Sequence, residues 1–231
     1  MTDAVSRNLD SVFERIAAAC LRSGRNPAEV SLAAVTKYAA REQIAALLRD
    51  GRVKFIGESR LQDALVKWAD MAAGGVKKRF IGHLQTNKAA RAAEFFDAVD
   101  SVDNLRIAEA LSKRACELEK KLDVLIQLKL TDSASQSGVG LEAAPRLADG
   151  IRKLPGLRLL GYMAIAPRVS DPQELRPVFR RVMSGFEKNF AGVEGRILSL
   201  GMSEDFEVAV EEGSTLPRIG SAIFSAQEDI P

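Results

Sequence analysis

The feature that most constrains this chain is an alternation that recurs eight times: a short, continuously apolar run of strand length, then a longer segment with helical periodicity. Ser31–Thr36 (SLAAVT) leads into a helical pattern over 40–50. Val53–Gly57, Arg79–His83, Phe96–Val99, Val124–Leu130, Leu157–Met163, Ile197–Leu200 and Leu216–Ile219 read as further strands, with helical patterns near 60–73, 86–95, 104–120, 141–153, 173–190 and 204–212. Strands this apolar have no wet face, so they belong in a parallel sheet covered by helices, and eight such units favour a closed (β/α)8 TIM-type barrel of the α/β class over an open doubly wound sheet. Leu216–Ile219 is the least regular of the strands, because Pro217 has no N–H to give to a ladder. Ahead of the series, residues 3–22 place Val5, Leu9, Val12, Phe13, Ile16 and Cys20 on one stripe and Gly24 then stops the helix. The expectation is an additional N-terminal helix, over 1–24, packed on the barrel.

The breaks at Gly74-Gly75, Ser133–Gly140 and Ala166–Pro172 have loop length and none has the composition of a linker, so 231 residues are read as a single barrel domain over 1–231. Charges of both signs are interspersed to a net +2, which gives no basic field for nucleic acid or for a membrane surface. No window is long and apolar enough to cross a bilayer, and the first residues, with Asp3 and Arg7, lack the core of a secretion signal, so a cytoplasmic location is expected. Cys20 and Cys116 lie far apart with no second thiol or histidine at metal-ligand spacing, and they read as reduced packing residues.

In parallel barrels chemistry gathers on the loops after the strands, which selects Lys37, His83, Met163, Ser203 and Gly220. Lys37 ends the apolar run LAAVT with no acidic neighbour in sequence; a partly desolvated amine there is a competent nucleophile toward an aldehyde or ketone. The plain alternative is a strand-end lysine that reaches out to solvent. Two late segments suit an anion. Gly201-Met202-Ser203 turns into a helix with Ser203 as its N-cap, and Gly220-Ser221 follows the eighth strand where barrels often bind phosphate. Each is also ordinary turn chemistry, and Glu204 and Asp205 oppose an anion unless they point away. His83, the only histidine, cannot build a metal cluster. A Schiff-base lysine on the first strand with a phosphate cradle on the last two describes a site for a phosphorylated aldehyde, and pyridoxal 5′-phosphate fits both ends.

The motifs AVTK (34–37), FIGES (55–59), FIGHLQTNK (80–88), SGVG (137–140), GYMAI (161–165), LSLGMSED (198–205) and GSTLPRIGSAIF (213–224) together resemble the pyridoxal phosphate homeostasis proteins, also called YggS-like or PROSC-like, over almost the whole chain. The resemblance implies a barrel like the N-terminal domain of alanine racemase and a cofactor-bearing lysine at Lys37. It also implies a phosphate held by Ser203 with Met202 and by Gly220 with Ser221, Arg218 at the pyridine nitrogen, and Asn87 and Met163 near the ring. Five positions depart from the usual family residues: Ser59 for Asn, Gln136 for Lys, Tyr162 for Leu, Pro217 for Val and Ser225 for Gly.

Tyr38 follows the lysine, and strand alternation sends it to the side away from Lys37. Racemisation needs a base on each face of the cofactor, and the tyrosines are only Tyr38 and Tyr162. The expectation is therefore a protein that binds and releases pyridoxal phosphate without efficient turnover, serving apo forms of pyridoxal phosphate enzymes as a monomer or weak dimer. The alternatives are an amino-acid racemase, a Schiff-base aldolase for a phosphorylated sugar, or a protein-binding scaffold that does neither.

Overall fold

The computed structural model describes residues 4–131 and 136–225; residue 3 of the expected opening helix and residues 133–135 of an expected loop lie outside them. Its strands are β1 (Ala33–Val35), β2 (Phe55–Glu58), β3 (Lys77–Phe80), β4 (Ala98–Val102), β5 (Leu122–Leu128), β6 (Leu157–Ala164), β7 (Ile197–Ser199) and β8 (Arg218–Ile219). They pair in parallel in the order β7-β6-β5-β4-β3-β2-β1-β8, so the sheet curls round until β7 and β8 face each other. This is the expected (β/α)8 barrel, and every strand overlaps its apolar run, β4 extending three residues past it to Val102.

The meeting of β7 and β8 is not a regular ladder. Thr215 and Leu216 both donate backbone N–H to the Leu198 carbonyl, at 2.9 and 3.2 Å, and the Arg218 N–H donates to Gly201 O at 2.9 Å. Side chains complete the closure: Ser199 Oγ donates to Leu216 O at 2.8 Å and Ser214 Oγ to Leu200 O at 2.7 Å. Pro217 is the reason, since it has no N–H for a ladder, while its carbonyl still accepts from Ala33 N–H at 3.0 Å on the β1 side.

Outside the sheet run α1 (Ala4–Arg22), α2 (Arg41–Asp50), α3 (Leu61–Lys67), α4 (Ala89–Phe95), α5 (Leu105–Glu117), α6 (Ala144–Arg152), α7 (Arg176–Phe190), α8 (Phe206–Glu211) and α9 (Ser221–Phe224). Asn104 caps α5 by accepting from Ile107 N–H at 3.0 Å. The extra helix α1 buries Val5, Leu9, Val12, Ile16, Ala19 and Cys20. Its buried Asn8 donates to the carbonyls of Ile223 at 2.9 Å and Ser225 at 3.3 Å, which ties α1 to the last helix beside the barrel mouth. Helix α3 is shorter than its pattern predicts: Trp68 turns inward to donate Nε1–H to Glu58 at 3.1 Å, and the chain leaves the helix there. Cys116 corrects another expectation, for it is exposed; the buried stripe of α5 is Ile107, Ala108, Leu111, Ser112 and Ala115, and Cys116 lies off it.

Two buried polar features mark the two faces of the sheet. Arg79 on β3 makes a bidentate pair with Asp100 on β4, at 2.9 and 2.7 Å, with both side chains buried. On β6, Tyr162 packs edge-on to Phe190 of α7 with centroids 4.9 Å apart, and Phe186 stacks on Phe190 at 5.4 Å. The Tyr162 hydroxyl is buried without a hydrogen-bond partner, and burial pushes the phenol up to about 12. An unsatisfied buried hydroxyl costs about 1–3 kcal/mol, so Tyr162→Phe is expected to raise unfolding stability by about 1 kcal/mol in denaturant titration. A loss of stability would show that the hydroxyl has a partner in solution.

Candidate functional site

A cavity of about 790 Å³ opens at the C-terminal ends of the strands. Lys37, Met202, Ser203, Arg218, Gly220 and Ser221 all line it, so six of the eight residues singled out from the sequence meet in one place. Each arrives from a loop that the barrel topology brings to the same rim: β1 for Lys37, β7 for Met202 and Ser203, β8 for Arg218, Gly220 and Ser221.

Arg218 forms the floor. It is buried, and its guanidinium donates to Ser199 O and Ser199 Oγ, both at 2.8 Å, and to Ala164 O at 2.8 Å. No carboxylate touches it among the described residues; burial pushes it down to about 10, with Asp100 and Asp205 pulling the other way, so it remains a cation at neutral pH. A buried cation held by carbonyls at a cavity floor is a ready counter-charge or donor for a ligand above it.

The two segments that the sequence singles out for an anion lie on the closure between β7 and β8. Gly201, at φ 91, turns the chain, and a Cβ there would meet Phe206 Cα at 2.8 Å. The backbone N–H groups of Ser203 and Glu204 find no backbone acceptor. Ser203 is not the helix cap the sequence predicts. The turn continues to Asp205, which takes the cap position of α8, and Ser203 Oγ instead accepts from Ala222 N–H at 3.3 Å, joining the β7 loop to α9. The Met202 N–H is also taken, by Asp205 Oδ1 at 2.6 Å. Glu204 and Asp205 line the cavity and so stand against an anion in part, as their sequence position warned.

Lys37 differs from expectation in its surroundings. It is exposed, its Nζ 5.1 Å from the centroid of the Tyr38 ring, so the protein alone does not desolvate it. Tyr38 lines the same cavity, which corrects the argument from alternation: β1 ends at Val35, and the turn after it carries both side chains to the mouth. Asn87 and Met163 do not reach the cavity. Asn87 sits exposed in the 3-10 turn Thr86–Lys88, which leads away into α4. Met163 pairs within β6 between Gln127 and Ser199 and is wholly buried with Leu125 and Leu160.

Gln127 carried no signal of its own in the sequence, and the bonds at His83, Gln136 and Ser137, with which it shares the cavity wall, left none either. Gln127 Nε2 donates to Ser137 O at 2.8 Å, Ser137 Oγ pairs with His83 Nδ1 at 3.0 Å, and Gln136 Nε2 donates to Ile165 O at 2.8 Å while its Oε1 accepts from Thr131 N–H and Oγ1–H. These bonds pin the loop after β5 over the mouth. Three of the five departures from the family pattern, Ser59, Gln136 and Ser225, are cavity residues; Pro217 sits at the barrel closure and Tyr162 on the outer face.

A family model described as "Alanine racemase, N-terminal domain" matches residues 8–228. The chain is 39% identical over 233 residues to the pyridoxal phosphate homeostasis protein of Escherichia coli strain K12, covering 97% of each chain, and 39% identical over 228 residues to that of Pseudomonas aeruginosa, covering 97% and 96%. It belongs to the pyridoxal phosphate homeostasis proteins of the alanine racemase N-terminal domain family. Among solved structures, PipY of Synechococcus elongatus PCC7942 with pyridoxal phosphate bound superposes with a TM-score of 0.77 at 30% identity, covering 92% of this chain and 99% of that one.

Burial raises the Asp205 carboxyl above the usual carboxylate range, against the Met202 amide and Arg218. A raised folded pKa means that ionisation costs more in the folded chain, a penalty in full force above the raised value and absent below the ordinary one. Asp205→Asn keeps an acceptor for Met202 N–H, so its Tm is expected to exceed the wild type at neutral pH, with the difference shrinking toward about pH 3. A lower Tm at neutral pH would mean that attraction to Arg218 outweighs desolvation.

Proposed function

We propose that the chain binds pyridoxal 5′-phosphate at the barrel mouth through a Schiff base to Lys37, and that it stores and releases this cofactor rather than turning over a substrate. The observation that carries the reading is the meeting of Lys37, Arg218 and the Ser203, Gly220 and Ser221 loops around one cavity. The names of the relatives and the ligand in PipY support it. The donor set fits the group. Free N–H groups at Ser203 and Glu204 and the hydroxyls of Ser203 and Ser221 suit a phosphate, a buried cation suits the ring nitrogen, and an amine at the rim suits an aldehyde.

When bound, the cofactor supplies an electrophilic carbonyl and a ring that can take up electron density. Lys37 contributes the amine nitrogen. Arg218, fixed by Ser199 and Ala164, keeps its proton and would hold the ring nitrogen as a donor; a ring nitrogen so held would stay unprotonated and be a weaker electron sink. Met202 supports the cradle from its edge. The residues that would complete racemisation are poorly placed: Tyr162 is buried on the outer face, and Tyr38 stands beside Lys37 rather than opposite it. Neither Asn87 nor Met163 is assigned a contact. The recipients in this reading are apo forms of pyridoxal phosphate enzymes in the cytoplasm, and the chain acts as a monomer or weak dimer. In keeping with it, no helix among the described residues is long and apolar enough to cross a membrane.

Purified protein mixed with pyridoxal phosphate is expected to develop a near-visible absorption band that is missing in Lys37→Ala; an unchanged band in that variant would overturn the assignment. Alanine incubated with the loaded protein in deuterated water separates storage from the competing racemase reading, for which Tyr38 in the cavity is the favouring observation. Exchange at the α carbon no faster than with free cofactor is expected, and exchange at enzymatic rates that is lost in Tyr38→Phe would establish the racemase.

A further inference from the structure

Behind the turn that carries Lys37, on the side of the sheet facing α3, lies a second lysine with an unusual posture. Lys67, the last residue of α3, does not extend into solvent; its side chain is 14% exposed and its Nζ donates to the carbonyl oxygen of Thr36 at 2.6 Å and to Glu58 Oε1 at 3.0 Å. Glu58, on β2, is 1% exposed, and the same Oε1 accepts from Thr36 Oγ1 at 2.7 Å and from Trp68 Nε1 at 3.1 Å; its Oε2 is buried with no hydrogen-bond partner. Every polar group of Thr36 is thus engaged, since its N–H donates to Gly57 O at 3.1 Å and its carbonyl also accepts from Ala39 N–H at 3.1 Å.

A lysine at a helix end ordinarily keeps its head in water, and ordering one costs about 1.5–2 kcal/mol of rotamer freedom. Turning Lys67 inward therefore needs a compensating contact, which Glu58 supplies as counter-charge and the Thr36 carbonyl as acceptor. The Thr36 carbonyl and the Lys37 N–H belong to one planar peptide unit, so a hold on that oxygen fixes where the Lys37 N and Cα atoms sit. Beyond Cα the Lys37 side chain is exposed, with its Nζ beside the Tyr38 ring, and the place of its root is what the hold on Thr36 controls.

We propose that Lys67 is the positioning residue for Lys37: held by Glu58, it locks the peptide unit ahead of Lys37 so that the root of that side chain is fixed where its amine can reach the carbonyl of a ligand whose anionic end rests on the Ser203 and Ser221 loops. The inference rests on the Schiff-base reading of the same site. In the step concerned, the Lys37 nitrogen forms a C=N bond to the aldehyde carbon and the aldehyde oxygen leaves as water. Lys67 takes no part in that exchange of bonds; it lowers the ordering cost of reaching it.

The test compares two ligands that share ring and phosphate: pyridoxal 5′-phosphate, and pyridoxine 5′-phosphate, which carries an alcohol in place of the aldehyde. Borohydride trapping of wild type with pyridoxal phosphate, followed by peptide mapping, comes first and should mark Lys37. No trapped adduct would sink the parent reading, and with it this proposal, before any variant is made. An adduct on Lys67 would overturn the positioning role by making Lys67 the nucleophile.

Because Lys67→Met alone strands a buried carboxylate, the informative variant is Glu58→Gln with Lys67→Met, which removes the charge pair but leaves an acceptor for Thr36 and Trp68. Its pyridoxal phosphate affinity and trapping rate should fall by about tenfold or more, the scale of one hydrogen bond from a charged donor, while pyridoxine phosphate affinity stays within about twofold. Lys67→Arg, which keeps a cationic donor for Thr36 O, should recover most of the loss. Equal losses for both ligands, no loss for either, or an arginine variant no better than the double variant would each overturn the proposal.

Discussion

The arrangement of this site depends on how a parallel barrel closes where one strand cannot form a ladder. β8 is two residues long and follows a proline, so the β7 edge is met by staggered N–H groups of Thr215, Leu216 and Arg218 and by the hydroxyls of Ser199 and Ser214. That stagger sets the Gly201–Ser203 turn against the Gly220–Ser221 turn, joined by the Ala222 N–H to Ser203 Oγ bond. It also drops the Arg218 side chain between the carbonyls of β6 and β7. One irregularity in the sheet therefore produces both the anion cradle and the cation beneath it. A regular eighth strand would have spent those N–H groups in a ladder.

Charge inside the barrel is managed by two unlike solutions. Arg79 and Asp100 neutralise each other in a bidentate pair sealed from water, an arrangement whose Coulomb gain is largely offset by desolvation and which is costly to break by removing one partner. Arg218 has no direct carboxylate partner, only carbonyl and hydroxyl oxygens, and so keeps a net positive charge facing the cavity. Asp205, close to the cradle, is held less acidic by its burial and uses the Met202 N–H. The floor consequently carries a positive charge while the loop above it carries a carboxylate.

Outside the barrel, helices act on the mouth at a distance. Asn8 of α1 and Gln43 of α2 hold the last carbonyls of α9, the latter through a 2.7 Å bond to Phe224 O, and Lys67 of α3 holds the carbonyl before Lys37. The rim is therefore supported by the helical layer on two sides, although Lys37, Met202 and Ser221 on it are exposed. On the opposite side Gln136 and Ser137, after β5, are held by Ile165, Gln127 and His83.

The fold class was legible in the sequence by itself, because burial on both faces leaves a local mark: runs of apolar residues at strand length, separated by segments with a 3.6-residue period. The amine of Lys37 and the glycine turns at 201 and 220 were legible for the same local reason, as chemistry stranded at the ends of apolar runs. Alternation failed at Tyr38, where the strand had already ended; Asn87 and Met163, taken from motif membership, are not among the residues that line the cavity. Only tertiary structure decided that Lys67 faces Thr36, that Gln136 fastens a loop to Ile165, and that Ser203 bonds Ala222 instead of capping α8. These contacts join residues 19 to 31 positions apart, and such pairings leave no periodic trace in a single chain; they exist because closing the barrel brings the ends of separate strands onto one rim.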